Sequence, residues 1–229
     1  AVSIDDLHNY FCHGPAQLWE RQALCKARPV WASPTIQPRI AEAVRSMLTS
    51  LHWRSEFAGD IARHRLRLEQ GAADTNIKRG RGGTLDIEFI VQMLQLRHAQ
   101  ADPSVLVPGT IDALARLEQA AFISRQHAQT LSANYRWLRR VESGLRLMNL
   151  PARHDLPTAI DELDQLQFLL QPSTPQFPSQ PPASPRSRGD SCGSSDEQSL
   201  ATHPLRENCM HILSQNREIF NDVFNVAQG

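Results

Sequence analysis

The chain lacks most of what would tie it to a membrane, a metal or a nucleic acid. No run of about 18 apolar residues occurs in its 229 residues, which excludes a spanning helix of the usual kind. The opening AVSIDDLHNYF has neither the basic nor the apolar part of a secretory leader. A soluble, cytoplasmic protein with no membrane partner is the expectation. Because the chain opens on Ala1, and its first residues already read as domain interior, residue 1 is expected to be a cut in a longer protein. Cysteine is sparse: Cys12, Cys25, Cys192 and Cys209 show no CxxC spacing and no neighbouring histidine pair, so neither a zinc site nor a disulfide framework is expected. Excess charge is absent too, since 24 basic and 24 acidic side chains cancel. Without a global field, any anion site must be local. Lysine is scarce as well. Only Lys26 and Lys78 occur among the 24 bases, and each falls in one of two segments singled out below.

Strand-like alternation is also missing, and between about 35 and 170 apolar residues recur at helical spacing. The predicted fold class is therefore mainly α. Ile36, Ile40, Val44, Leu48 and Leu51 mark a helix after Ser33-Pro34, and Phe57, Ile61, His64 and Leu68 mark another ending near Gly71. The segment from Leu85 to Leu96 is apolar on almost every side, which predicts a central, buried helix. Its one polar stripe, Glu88, Gln92, Gln95 and Ala99, must meet polar partners. Thr110 and Ser124 are predicted caps for the next two helices, and Asp155-Leu-Pro157 opens a further one through Leu170. From Pro172 to Pro204 the composition turns to Pro, Ser and Gly, as in a disordered insertion. A last amphipathic segment from Leu205 could close the bundle across it.

Two segments carry candidate chemistry. In NIKRGRGGTLDIEF (76–89), Gly80, Gly82 and Gly83 allow backbone amides to converge, while Lys78, Arg79 and Arg81 place charge just before a helix N-terminus. Residues 60–82 hold six bases against three acids, a local excess of three in a neutral chain. Together these features suit a phosphate. Asp86 and Glu88 complement the helix dipole, and Glu88, heading the polar stripe, needs a cation. Arg28, Arg81 or an arginine of a neighbouring helix could supply it. A structural ion pair and a contact with substrate or metal both remain open for Glu88. In WERQALCKARPV (19–30), Trp19 and Leu24 can anchor a packed face. Lys26 and Arg28, two apart, would point to one side of an extended segment toward a phosphate or carboxylate. A solvated amphipathic stretch is the alternative. An RGG-type nucleic-acid contact is disfavoured because the loop has no interleaved aromatics, so no nucleic-acid partner is expected.

The two segments, in this order and at this separation, resemble the bacterial glutamine synthetase adenylyltransferase family, over roughly residues 1–170. That resemblance implies a helical bundle following the tail end of a DNA polymerase beta-like nucleotidyltransferase domain. Residues 1–32 would be the end of that domain, 33–171 the bundle, 172–204 the Pro/Ser/Gly-rich insertion and 205–229 a C-terminal helix. It further implies adenylylation or deadenylylation of glutamine synthetase, with ATP and Mg2+ in the full-length enzyme and neither held by this chain alone. Glutamine synthetase is the implied partner, with a PII-type signalling protein as a second. The metal-holding DxD carboxylates of the family are not in this sequence, so no catalytic or metal-ligating residue is assigned and the fragment is expected to be inactive alone. By resemblance Lys26, Arg28, Lys78, Arg79, Gly80, Arg81, Gly82 and Gly83 are phosphate or acceptor contacts, and Glu20, Asp86 and Glu88 orient them. The DIEF sequence fits the attaching half of the family. A non-catalytic module that binds glutamine synthetase or a signalling protein is the competing expectation.

Overall fold

A computed structural model describes residues 2–148, 154–171 and 203–228. Among these residues there are nine α-helices, one 3-10 turn and no strand; a single isolated bridge joins Asn76 and Asp155. The helices are α1 (Ile4–Cys12), α2 (Leu18–Leu24), α3 (Gln37–Thr49), α4 (Glu56–Glu69), α5 (Thr84–His98), α6 (Thr110–Gln119), α7 (Arg125–Leu147), α8 (Ile160–Leu170) and α9 (Pro204–Gln228), with the 3-10 turn at Pro103–Val105. The mainly α expectation holds. None of these helices is long and apolar enough to cross a membrane.

α5 is the axis of the fold. It packs against α2, α4, α6, α7 and α9, and its apolar residues point every way because neighbours lie on every side. Ile87, Ile90 and Met93 have no exposed surface. Truncating one of them to alanine would cost about 2–5 kcal/mol from lost transfer energy and the cavity left behind. A second apolar cluster joins α7, α8 and the first half of α9 through Leu138, Val141, Leu163, Leu166, Cys209 and Leu213. α9 therefore closes both clusters, as its amphipathic pattern predicts.

Ser124 caps α7, its hydroxyl accepting from the His127 amide at 3.1 Å. The cap predicted at Thr110 is displaced by one residue: Gly109 is the N-cap and Thr110 is the first helical residue, with its hydroxyl turned to another partner. α3 starts at Gln37, with Pro38 in its first turn, rather than directly after Ser33-Pro34. On α4 the inward position is Arg65, not His64, because Ala58, Ile61 and Arg65 share the buried face. Trp19 is not an anchor; 53% of it is exposed, while Leu24 packs on the core. The expected insertion, apart from His203 and Pro204, falls outside the described residues.

Candidate functional site

The glycine loop between α4 and α5 is built around Asn76. Its side-chain oxygen accepts from the amides of Lys78 (3.1 Å) and Arg79 (2.7 Å), and its carbonyl accepts from the Gly80 amide (3.0 Å). Gly83 donates to the Gly80 carbonyl, Thr84 to that of Ile77, Leu85 to that of Lys78 and Asp86 to that of Gly83. The Gly82 amide donates to Asp86 Oδ2 at 2.9 Å. Every amide from 78 to 86 except that of Arg81 thus has a partner within the loop. Contact with a phosphate here would fall to side chains and to that one amide. Arg81 and Arg79 are exposed and Lys78 is half-buried. The Arg79 guanidinium donates to the Leu68 carbonyl at 2.9 and 3.1 Å. Lys78 faces His154, whose imidazole is held below its ordinary value by burial first and by the Lys78 charge second.

Beneath the loop lies an ion cluster that sequence reasoning missed. Asp86 and Arg65 are both wholly buried, with Arg65 Nε 2.6 Å from Oδ1 and Arg217 Nε of α9 2.8 Å from Oδ2. These are off-axis ion-pair contacts rather than in-line hydrogen bonds. Arg65 also donates to the carbonyls of Arg79 (3.0 Å) and Gly80 (2.7 Å), so one guanidinium binds loop and carboxylate together. Glu69 pairs with both arginines. Next to it, Asn216 donates to the Gly82 carbonyl at 2.8 Å and accepts from Asn134 at 2.9 Å. Burial pushes the Asp86 carboxyl above its ordinary value, against the opposing pull of Arg65, Arg217 and the Gly82 amide. Asp86 is therefore the anchor of the loop, with no exposed surface of its own. The one available signal was a carboxylate in a helix otherwise apolar all round, which requires buried cations.

The two sequence segments meet on the other side of α5. Lys26 Nζ donates to Thr110 Oγ1 at 2.7 Å and lies 3.6 Å from Glu88 Oε1, which accepts from the Tyr135 hydroxyl at 2.8 Å. Lys26 keeps 35% and Glu88 19% of its side-chain surface exposed, so the quartet is open to solvent on one side. The partner of Glu88 is thus Lys26, with Tyr135, rather than Arg28 or Arg81. Deeper on the stripe, Gln22 donates to Gln92 at 2.8 Å, and Gln95 donates to the carbonyls of Val105 and Val107. Glu20 lies apart from the quartet. It caps α2 by accepting from the Gln17 amide and also accepts from the Tyr10 hydroxyl. Arg28 lines a cavity between α1 and α3 and, among the described residues, makes no ion pair or hydrogen bond with Lys26 or the loop. Thr110 and Tyr135 lie outside both segments, and only their place opposite α5 reveals them.

Burial first, then the Glu88 charge, pushes the Tyr135 phenol up to about 12. An unfolded tyrosine ionises near 10, so between about pH 10 and pH 12 the fold holds a proton that the unfolded chain releases. That contribution is complete below pH 10 and is lost as pH rises toward 12. Tyr135→Phe is therefore expected to lose less stability than the parent across this window, read as the urea midpoint at each pH. Identical losses would remove Tyr135 as their source.

The fold and site define a helical domain with a basic, internally braced loop before its central helix and an open lysine-carboxylate cluster on another face of that helix. Residues 54–173, more than half of the chain, match the family model described as GlnD PII-uridylyltransferase. The chain belongs to that family. Curated relatives carry the name bifunctional glutamine synthetase adenylyltransferase/adenylyl-removing enzyme. That of Mycobacterium tuberculosis is 39% identical over 151 residues, covering 64% of this chain and 15% of the relative. That of Mycolicibacterium smegmatis is 35% identical over 161 residues (69% and 16%), and that of Bifidobacterium longum 36% over 160 (68% and 15%). The resemblance read from the two segments is thereby borne out. The chain spans about 15% of the length of the curated relatives it matches.

Proposed function

We propose that this chain is the helical part of a cytoplasmic glutamine synthetase adenylyltransferase and forms one wall of the cleft in which an adenylyl group passes from ATP to the acceptor. The observation that carries this reading is the convergence of Lys26 and Glu88, from segments 62 positions apart, on one solvent-open cluster. In this reading residues 1–32 end the nucleotidyltransferase domain, 33–171 form the bundle, and the C-terminal helix closes it after the insertion. Packing of α1 and α2 on α3 supports a continuous surface from the first part to the second.

The chemistry proposed for this chain is placement of charge. Lys26 is held by Thr110 and Glu88, so its ammonium is fixed in direction and retains donor capacity for an anionic oxygen. Lys78 and Arg81 add positive charge from the loop. In-line transfer leaves charge on the leaving phosphate oxygens, and fixed cations at that edge lower the barrier. ATP and Mg2+ belong to the whole enzyme. Among the described residues no three carboxylate, imidazole or thiol groups converge as a metal site. Glutamine synthetase is the proposed acceptor, a PII-type protein a proposed signalling partner, and the DIEF sequence favours attachment over removal.

The test counts labelled adenylyl groups on glutamine synthetase after incubation with ATP and magnesium. It uses this chain and a chain extended upstream through the nucleotidyltransferase carboxylates. Transfer by the extended chain is expected, falling at least about tenfold in Lys26→Ala and less in Glu88→Gln, which keeps a hydrogen-bond acceptor for Tyr135. Binding of glutamine synthetase with no transfer by either chain would replace the transferase reading with the interaction module.

A further inference from the structure

The residue of the lysine segment that the transfer reading leaves unused is Arg28. Arg28 lines a cavity of about 330 Å³ between α1, the turn after α2, and α3. Leu24, Ile40, Val44, Leu48 and Leu106 make its walls apolar, and no acidic residue lines it. Two basic residues do, Arg28 and Arg45. Arg28 has no ion pair among the described residues, and Arg45 has only a loose one, 3.8 Å from an exposed Glu42. A concave, mainly apolar space of this size with a few polar groups on one side is the common form of a small-molecule site. We infer that the cavity binds a small amphipathic anion, its aliphatic body against Leu24, Val44 and Leu48 and its carboxylate or phosphate head on Arg28 and Arg45.

The two halves of this assignment rest on different physics. An aliphatic body displaces water from walls that offer it few hydrogen bonds, which favours any apolar ligand of suitable volume. The head selects among such ligands, because two cations whose one nearby carboxylate among the described residues, Glu42, is exposed and loosely paired attract an anion and repel an amine. A nucleotide fits poorly, since the cavity has no aromatic face for a base and no carboxylate for ribose hydroxyls. The inference does not depend on the transferase reading. Lys26 and Glu88 do not line the cavity.

Isothermal titration of the full chain with decanoate, decyl phosphate, decanol and decylamine separates body from head. Decanoate or decyl phosphate is expected to bind about tenfold more tightly than decanol, with decylamine weakest, and the better of the two anions names the head. Arg28→Ala is expected to bring the anion down to the affinity of decanol and leave decanol unchanged. Ala41→Trp, a substitution at the exposed mouth, is expected to abolish binding of all four. Equal affinities for decanoate and decanol would overturn the anionic head. Unchanged binding in Ala41→Trp would overturn the cavity as the site, and no binding by any probe at about 1 mM would overturn both.

Discussion

Gly82→Ala is expected to lower the melting temperature by about 10 °C or more and to release α9 from the glycine loop. Two costs combine at this position. The backbone of Gly82 is left-handed (φ 75°), where an alanine is strained by about 1–2 kcal/mol. A Cβ built there would also lie 1.7 Å from the carbonyl oxygen of Leu213, a backbone atom of α9 that no rotamer change can move. α9 must shift, and with it go the Asn216 bond to the Gly82 carbonyl and the Arg217 contacts to Asp86. A loss above about 4 kcal/mol follows, which at about 2–4 °C per kcal/mol gives the stated fall. Gly71 supplies the control. It has the same φ of 75°, and nothing lies within 4 Å of its added Cβ, so Gly71→Ala reports the strain alone. Far-UV circular dichroism gives the melting temperatures, and hydrogen exchange of α9 amides reports the release. Equal losses in the two variants would show that α9 does not press on the loop.

The same contact shows why some of this protein was legible in its sequence and some was not. The buried character of α5 is a property of consecutive residues, so the run from Leu85 to Leu96 announced it, and the polar stripe foretold the partners found at Glu88, Gln92 and Gln95. What the stripe meets is a matter of tertiary placement. Thr110 looked like a cap because a hydroxyl before an apolar run is the common start of a helix; in the fold Gly109 takes that role and Lys26 takes the hydroxyl. Lys26 and Thr110 are 84 positions apart, and no local pattern links them. The glycine loop is a similar case. Its composition suggested free amides, yet Asn76 and the loop's own carbonyls engage nearly all of them, because an inward-turned loop beside a buried helix must satisfy its donors internally. Side chains at the rim are left to meet a ligand. Part of the charge that holds Asp86 comes from Arg217, 131 positions beyond it, and was invisible until α9 was in place.

Replacing Asp86 with asparagine, which preserves shape and removes charge, is expected to cost about 3–5 kcal/mol, the range for leaving a buried partner unpaired. Arg65 would remain wholly buried, with Glu69, at 3.5 Å, as its one carboxylate contact among the described residues. Arg217 also keeps Glu69, which is partly exposed and so offers weaker compensation. Arg65 holds the carbonyls of Arg79 and Gly80, so the loss should reach the loop as well, read as faster exchange of the Gly80 and Gly83 amides. A second variant separates charge balance from packing. In Arg65→Met/Asp86→Leu/Arg217→Met the desolvation cost disappears along with the pairs, and apolar replacements of this kind are often neutral or stabilising. The triple variant is therefore expected to regain most of the urea midpoint lost by Asp86→Asn while its loop amides stay fast, since no guanidinium is left to hold the two carbonyls. If Asp86→Asn melts like the parent, the cluster contributes nothing to stability and its arginines are already compensated by Glu69. If the triple variant restores slow exchange, the loop is braced by Asn76 and Asn216 alone. Between those limits lies the structure described above, in which one buried carboxylate fixes the helix, the loop and the last helix to one another and leaves Lys78 and Arg81 at the rim.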